Sequence, residues 1–176
     1  MAYVIFDTET TGLSPEHGHK LVEIGAVRVV NGRISQEKGD VFEALINPRR
    51  VIPDEVTLVH GITNEMVRNA QPNSVVLPQF LDFVGSDVLV AQNAEFDISF
   101  LRSELTSLGL STAVLNSRLC TIELCKQKFP DLDRYNLNAL CRFFGLTIER
   151  RHRALDDVLA TAEIFLRVHD EEPTLF

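Results

Sequence analysis

Apolar residues recur at two different spacings along this chain, and the change of spacing predicts where strands give way to helices. The run in residues 3–7 predicts a buried strand, and the largely alternating run in residues 20–30 predicts a second one. Asn31-Gly32 is the dipeptide most typical of a two-residue hairpin. Residues 34–46 are therefore expected to return antiparallel to the second strand, and residues 87–93 to form another short buried strand.

Helical spacing dominates the rest of the chain. The segments predicted to contain helices are residues 53–63, 64–69, 74–85, 94–109, 117–129 (after a short strand), 136–145 and 153–169. Strands that come first and then alternate with helices indicate a single α/β domain with a mixed sheet. We expect this domain to span residues 1–170, with residues 171–176 as a short C-terminal tail.

Composition and charge narrow the class of protein. The 176 residues are 45% hydrophobic, which suits one compact domain. No segment approaches the roughly 18 uninterrupted apolar residues of a membrane span, and the first residues lack the basic start of a signal peptide. We therefore expect a soluble, cytoplasmic protein without membrane contact. The net charge of −8 argues against a broad basic surface for duplex nucleic acid, but not against an enzyme that holds a few nucleotides at a strand end.

Several reactive or aromatic side chains are better explained by packing or solvation than by chemistry. Cys120, Cys125 and Cys141 lie at irregular spacings, which predicts reduced, buried side chains rather than a metal or redox centre. His17 and His19 lie in a loop with no third ligand nearby and are expected to be solvated. In the helix before Gly145, the residues expected in the core rather than on a stacking surface are Leu137, Leu140, Phe143 and Phe144.

Carboxylates interrupt the apolar pattern at the end of the first strand and in two helices. Asp7 and Glu9 lie two residues apart, so both point to one face, where they repel each other and are costly to desolvate. Either the strand ends in water or something neutralises the pair. Asp97 lies among apolar residues early in its helix, where the helix dipole alone would favour a carboxylate.

The C-terminal helix places two neighbouring aspartates differently. At about 100° per residue from the first helical residue, Asp156 lies at about 200° and Asp157 at about 300°, on opposite flanks of an apolar stripe centred at about 70°. Asp156 shares its flank with Glu163, whereas Asp157 lies beside Thr161 and Ile164 and is the better candidate for an inward carboxylate. The predicted stripe consists of Leu155, Val158, Leu159, Ala162, Phe165 and Leu166.

Four carboxylates on three elements have the ligand chemistry of a hard divalent cation site. Mg²⁺ and Mn²⁺ prefer carboxylate and water oxygens. Two such ions, about 3.5–4 Å apart, can activate a water and stabilise the leaving oxygen of a phosphodiester. Ions of this kind would neutralise Asp7 and Glu9.

Three motifs carry a resemblance to a known family. "FDTETTGL" (6–13), "AQNAEFDISFL" (91–101) and "HRALDD" (152–157) resemble, in order and spacing, the motifs of the DEDDh, or DnaQ-like, exonucleases, the family of the epsilon proofreading subunit of bacterial DNA polymerase III. "NPRRVIPDEVTLVHGIT" also resembles the substrate-positioning segment of that family. The resemblance implies a ribonuclease-H-like fold and metal-dependent release of nucleoside 5′-monophosphates from 3′ ends.

The resemblance also implies residue roles. Asp7, Glu9, Asp97 and Asp157 would hold two Mg²⁺ or Mn²⁺ ions, with Asp7 bridging them. His152 would act as general base on the attacking water, a task suited to a side chain whose ordinary pKa lies near neutral pH. The residues expected to contact the terminal nucleotide are Thr10, Thr11, Leu13, Glu55, His60, Ile62, Asn93 and Phe100.

One position departs from the family pattern, and some assignments keep a structural alternative. Many relatives carry His in the second motif where this chain has Gln92. That position is not a metal ligand, so altered packing or substrate contact is expected rather than loss of activity. His152 could instead be a surface residue at a helix start, and His60 could serve only its turn. Among residues 150–153, one of the arginines is a candidate phosphate contact.

The preferred substrate is single-stranded or mispaired 3′ ends of DNA, because the first motif reads TET as in DNA proofreaders and the chain lacks evident basic arrays. RNA 3′-end trimming is the alternative. A non-catalytic docking module would lack a ligand or the histidine, and all five are present. A DNA polymerase is a candidate partner. Leu175-Phe176 faintly resembles a sliding-clamp-binding peptide, although a frayed terminus is the ordinary explanation.

Overall fold

A computed structural model describes residues 2–35, 37–147 and 153–169. Within them, seven strands form one sheet in the order β5-β4-β2-β1-β6-β7, with β3 paired to β2. The strands are β1 Ala2–Thr10, β2 Leu21–Val30, β3 Arg33–Ile34, β4 Val41–Asn47, β5 Gln71–Pro72, β6 Val88–Ala91 and β7 Arg118–Cys120. Strand β2 pairs antiparallel with β1 and with β4, whereas β6 and β7 run parallel to β1. The predicted mixed sheet is therefore present.

The predicted hairpin is present, but its return strand is broken. Asn31 and Gly32 both adopt positive φ, at 51° and 70°, as a two-residue turn of this kind requires. Only β3 pairs directly after the turn, and β4 begins later, at Val41. The side chain of Asp40 accepts hydrogen bonds from Arg28 and Ser35, which holds the intervening segment off the ladder. The predicted antiparallel return is therefore present, but as two separate strands.

The helices agree closely with the predicted segments. They are α1 Asp54–His60, α2 Asn64–Arg68, α3 Asn73–Val84, α4 Ala94–Ser107, α5 Thr121–Lys128, α6 Leu137–Phe144 and α7 Ala154–Val168. Glycines in the left-handed region follow α1 and α6, at Gly61 and Gly145, where a side chain would be strained. The local signals in the sequence are strong enough to set these helix ends.

Alternation along β1 sends side chains to two hydrophobic layers. Val4 and Phe6 face α3 and α4, whereas Tyr3 and Ile5 face α7. Helices α5 and α6 pack against the outer side of α7, and a smaller cluster beneath α1 and α2 includes Ile62. The end of β1 that carries Asp7 and Glu9 therefore lies between the first turns of α4 and α7.

Two predictions about burial are wrong. Leu159 is 42% exposed and Phe143 is 48% exposed, so neither belongs to the core. Helix α7 contacts the sheet on one side and α5 and α6 on the other, so its buried face is wider than the predicted stripe and includes Thr161 and Ile164. The three cysteines are free, as predicted; Cys125 and Cys141 are buried, but Cys120 is only half-buried.

Two stretches named in the sequence analysis lie outside the described residues. They are residues 148–152, which include His152, and residues 170–176, which include Leu175-Phe176. Of the basic stretch at residues 150–153, the structure describes only Arg153. Within the described residues, no helix has the length and apolar character needed to span a membrane.

Gly25 of β2 allows the first turn of α7 to lie directly on the sheet. A Cβ at this position would lie 2.6 Å from the backbone nitrogen of Leu155. We predict that Gly25→Ala lowers the free energy of unfolding by about 1–3 kcal/mol, because the helix must shift away from the strand. Urea denaturation would measure the change. Gly39→Ala is the matched control, since nothing lies within 4 Å of its Cβ position; equal stability of the two variants would contradict the prediction.

Candidate active site

Strand β1 and helix α7 bring three carboxylates together. Asp7 and Glu9 point to the face of the sheet that α7 covers, as their two-residue spacing predicts. Asp157 lies in the first turn of α7, and its side chain is buried. One oxygen from each of Asp7, Glu9 and Asp157 lies within 4.8 Å of the other two. This separation lets one cation contact all three residues.

Helix α4 adds Asp97 from its first turn. The residue before the helix, Asn93, has a φ of 63°, which turns the chain sharply from β6 into α4. Oδ1 of Asp97 accepts hydrogen bonds from the backbone nitrogen of Thr8 at 3.0 Å and from the hydroxyl of Thr8 at 2.6 Å. A cavity of about 340 Å³ is lined by all four predicted carboxylates, together with Thr8, Gln92, Asn93, Phe96 and Leu137.

Burial and mutual repulsion raise the pKa values of these carboxyl groups. Burial raises the pKa of Asp7 well above its ordinary value, and the charges of Asp97, Glu9 and Asp157 raise it further. The pKa of Glu9 is raised to about 8 by burial and by its acidic neighbours. For Asp97, burial raises the pKa to about 7 although the hydrogen bonds from Thr8 lower it. Desolvation therefore outweighs the favourable helix dipole at this position.

The donor set fits hard divalent cations. Every charged group that lines this cavity is a carboxylate, the ligand that Mg²⁺ and Mn²⁺ prefer to nitrogen or sulfur. In the protein alone the charges repel one another across short distances, and a cation would reverse the sign of that interaction.

Glu23 is a fifth carboxylate at this end of the sheet, and the sequence analysis missed it. It pairs with Glu9 in the register of β1 and β2, and it has no exposed surface. Its oxygens accept hydrogen bonds from Nη2 of Arg153 at 2.6 Å, from Nε of Arg153 at 3.1 Å and from the backbone nitrogen of Ala154 at 2.9 Å. The charge of Glu23 is thereby compensated.

The contacts of Glu23 hold the start of α7 against β2. Arg153 directly follows His152 in the chain and directly precedes α7, so the ion pair fixes the helix end that carries Asp157. The signal that could have identified Glu23 is a charged residue within an otherwise apolar segment, "LVEIGAV" (21–27). A buried acid in a central strand requires a partner, and here that partner is Arg153.

The predicted substrate contacts divide into exposed and buried side chains. Leu13 is 87% exposed in the loop that follows β1. Glu55, in the first turn of α1, and Asn93, beside the carboxylates, are also exposed. These three side chains are accessible to a substrate.

The remaining predicted contacts are buried. Thr10 donates a hydrogen bond to the carbonyl oxygen of Gly12 at 2.6 Å, and Thr11 accepts one from the backbone nitrogen of Lys20 at 3.0 Å. Nε2 of His60 lies 3.2 Å from the carbonyl oxygen of Thr10. These contacts fix the shape of the loop after β1.

Two predicted substrate contacts need correction. Phe100 and Ile62 have no exposed surface, because Phe100 packs between the sheet and α4 and Ile62 packs beneath α1 and α2. Neither side chain can touch a substrate in this structure. Phe96, one turn before Phe100 on α4, lines the carboxylate cavity instead. Helical periodicity alone did not distinguish these two aromatic residues.

Gln92 occupies the position where the family pattern has His. Its amide nitrogen donates to the carbonyl oxygen of Tyr135 at 2.7 Å, and its amide oxygen accepts from the hydroxyl of Thr121. Gln92 therefore connects the end of β6 to the segments around α5 and α6. Gln92 also forms part of the wall of the carboxylate cavity, to which it adds no charge.

The chain matches the family model described as Exonuclease over residues 4–165. It is 36% identical to the DNA polymerase III subunit epsilon of Rickettsia felis, over 94% of this chain and 72% of that protein. It is 43% identical to the PolC-type DNA polymerase III of Caldanaerobacter subterraneus, but there the match covers 94% of this chain and only 11% of the relative. The chain thus spans a small part of this PolC-type relative.

The solved structure of exonuclease X in complex with 5′ overhanging duplex DNA has a similar fold. Its TM-score to this chain is 0.73, with 29% identity over 94% of this chain and 90% of that one. The prediction of a ribonuclease-H-like mixed sheet flanked by helices is confirmed by this likeness and by the observed strand order.

The raised pKa of Glu9 predicts a pH-dependent cost in metal-free protein. A carboxyl whose pKa rises from 4.5 in the unfolded chain to about 8 on folding destabilises the native state as pH rises between these values. In EDTA, Glu9→Gln should therefore gain about 1 kcal/mol or more of stability relative to wild type between pH 5 and pH 9. Thermal denaturation across this range tests it. Glu16→Gln, at an exposed position, is the control. If the stability difference from wild type does not change with pH in either variant, the prediction is refuted.

The Glu23–Arg153 pair should be asymmetric to mutation. Arg153→Met leaves Glu23 buried, charged and beside Glu9, and should cost about 3 kcal/mol of unfolding free energy. Glu23→Gln also removes a negative charge that raises the pKa of Glu9, so it should cost less. Urea denaturation at pH 8 compares the two variants. A larger loss for Glu23→Gln would show that repulsion at this end of the sheet is unimportant.

Proposed function

The chain belongs to the exonuclease family, and from that membership we propose that it is a 3′-5′ exonuclease of DNA, of the proofreading or repair type. The observation that carries the proposal is the convergence of four carboxylates from β1, α4 and α7 on one cavity. DNA is the favoured substrate because the similar proteins include DNA polymerase III subunits and an exonuclease bound to DNA.

We propose that Asp7, Glu9, Asp97 and Asp157 hold two Mg²⁺ or Mn²⁺ ions. When bound, such ions lower the pKa of a coordinated water and stabilise charge on a leaving oxygen. The protein contributes the placement of the ligands: Thr8 orients Asp97 through two hydrogen bonds, and the Glu23–Arg153 pair holds the helix that carries Asp157.

We further propose that His152 is the general base. It would accept a proton from the water that attacks the terminal phosphorus. The bond between phosphorus and the 3′ oxygen then breaks, which releases a nucleoside 5′-monophosphate, and the leaving oxygen takes a proton from solvent to become the new 3′ hydroxyl. His152 lies outside the described residues, and support comes from its motif and from the fixed position of Arg153 next to it. A neutral imidazole suits this role near pH 7.

The terminal nucleotide is proposed to lie between the loop after β1 and the start of α4. Leu13, which is exposed, would pack against its sugar or base, while Glu55 and Asn93 supply polar contacts. Thr10, Thr11 and His60 would act through the loop backbone that their hydrogen bonds hold in place.

A DNA polymerase is the proposed partner, supported by the names of the relatives. Binding of a sliding clamp through Leu175-Phe176 remains a proposal from the sequence alone. A peptide carrying this tail should compete for the clamp if that proposal holds.

A digestion panel tests the proposed function. With Mg²⁺ or Mn²⁺, single-stranded DNA and DNA with a mispaired 3′ end should be shortened from the 3′ end, and mass spectrometry should find nucleoside 5′-monophosphates. EDTA should stop the reaction. Faster cleavage of an RNA oligonucleotide of the same sequence would instead favour RNA 3′-end trimming. Failure to cut any of the three substrates with either metal would favour a non-catalytic docking module.

Two adjacent aspartates give a matched mutational test. Asp157→Asn should lower kcat by at least about 100-fold, because Asp157 lies among the proposed metal ligands. Asp156→Asn, one residue earlier on α7 and outside that cluster, should change kcat less than about threefold. Rates on a 3′-labelled oligonucleotide measure both. Equal effects of the two variants would contradict the assignment of Asp157 as a ligand.

A further inference from the structure

A second cavity lies at the same end of the sheet, on the face that α3 and α4 cover. It has a volume of about 480 Å³ and lies where β4 ends and β2 begins. It shares no lining residue with the carboxylate cavity. Three of its lining residues are cationic: Lys20, Arg49 and Arg50. We call it the basic cavity, and in a chain of net charge −8 such a concentration of positive charge requires an explanation.

The single carboxylate that lines the basic cavity is already satisfied. Glu104 is buried, and its oxygens accept hydrogen bonds from the backbone nitrogen of Leu21 at 3.2 Å and from the side-chain amide of Asn73. The ammonium of Lys20 lies 3.9 Å from the same carboxylate. Glu104 therefore compensates Lys20 and leaves the two arginines as net positive charge.

The arginines of the basic cavity are available to a ligand. One guanidinium nitrogen of Arg50 donates to the carbonyl oxygen of Gly18, which leaves its other donors. Among the described residues, the guanidinium of Arg49 makes no ion pair, and both arginines are exposed. Guanidinium groups match the oxygens of a phosphate geometrically as well as electrostatically.

The loop that carries the arginines is held in one shape. Oδ1 of Asn47 accepts a hydrogen bond from the backbone nitrogen of Arg49 at 2.9 Å, and Nδ2 of Asn47 donates to the carbonyl oxygen of Arg68 at 2.9 Å. Asn73, the first residue of α3, also lines the cavity, so the positive end of that helix dipole adds to the field. An anion would thus meet a preformed site.

The basic cavity is connected to the proposed active site by one loop. Residues 11–20 leave the end of β1, present Leu13 to solvent, and reach the basic cavity at Gly18 and Lys20. Along α4, Glu104 lies seven residues from Asp97, which is about 10.5 Å of helix. Even at the compact 3.4 Å rise of a stacked strand, a few nucleotides are long enough to span that distance.

We propose that the basic cavity binds an internal backbone phosphate of the nucleic-acid substrate. The inference rests on the proposed nuclease function, and it adds a second contact that would let an acidic protein hold a strand while its 3′ end is at the carboxylates. A phosphodiester and a free phosphate share the chemistry that this cavity recognises, so the test must separate them.

Binding without cleavage provides the first test. In EDTA, fluorescence anisotropy with a labelled single-stranded oligonucleotide of ten or more nucleotides should show roughly tenfold weaker binding for Arg49→Gln/Arg50→Gln than for wild type. The slope of log K against log salt should fall by about 0.7 for each phosphate that the variant no longer neutralises. Arg33→Gln/Lys38→Gln removes two charges from exposed positions at the opposite end of the sheet and is the control. Equally weakened binding in the two double variants would overturn the proposal.

A scan with neutral linkages identifies the bound phosphate. Single methylphosphonate substitutions along the oligonucleotide should weaken binding to wild type most at one internal linkage. The same substitution should have little additional effect on Arg49→Gln/Arg50→Gln. If no internal linkage stands out, the proposal is wrong. If inorganic phosphate binds to wild type but not to the variant while oligonucleotide affinity is unchanged, the cavity binds free phosphate, and the proposal is again wrong.

A small substrate separates this proposal from the proposed function. The p-nitrophenyl ester of thymidine 5′-monophosphate can occupy the carboxylate cavity but is too short to reach the basic cavity. If wild type fails to hydrolyse both this ester and oligonucleotides with Mn²⁺, the nuclease proposal fails. If it hydrolyses them, the ratio of kcat/KM for the oligonucleotide to that for the ester should fall roughly tenfold in Arg49→Gln/Arg50→Gln. An unchanged ratio would refute the basic cavity alone.

Discussion

Electrostatic repulsion among carboxylates at one end of the sheet is the constraint to which much of the structure responds. Asp7 and Glu9 share a face, and Asp97 and Asp157 approach from two helices. Burial raises the pKa values of Asp7, Glu9 and Asp97, and neighbouring negative charges raise those of Asp7 and Glu9 further. The fold does not remove this repulsion. It holds the ligands in place through groups outside the cluster, including Thr8 and Arg153.

The elements could be predicted from sequence because their signals are local. Asn31-Gly32 and Gly145 adopt the positive φ that their turn and helix end require, and the helix starting at Ala154 follows directly from its periodicity. The inward orientation of Asp157 was also accessible, because it depends only on the angle between residues of one helix. What could not be predicted depends on neighbours distant in sequence. Leu159 fits the apolar stripe of α7 but is exposed, because the sheet covers one side of this helix, α5 and α6 cover another, and Leu159 lies on neither.

Glu23 in the candidate active site could not be predicted for the same reason, because its role depends on contacts distant in sequence. The resemblance to a family identifies residues within motifs, whereas Glu23 lies in a strand between motifs, and its importance comes from register. Regular pairing of β2 with β1 places Glu23 opposite Glu9 and Gly25 opposite Asp7, which puts both on the face of α7. Glu23 and Gly25 thus fix the same helix end. Glu23 does so through its ion pair with Arg153, and Gly25 does so because its lack of a side chain lets α7 approach the strand closely.

The separation of charge explains how a protein with net charge −8 can interact with a polyanion. Net charge governs the field at a distance, but within a few ångströms the nearest groups dominate, because salt screens exposed charges beyond about 8–10 Å. The carboxylates line one cavity at this end of the sheet, and Arg49 and Arg50 line another, beyond the loop that carries Leu13. The arginines can therefore hold a strand whose end lies across that loop, and cations at the carboxylates would further reduce the local repulsion.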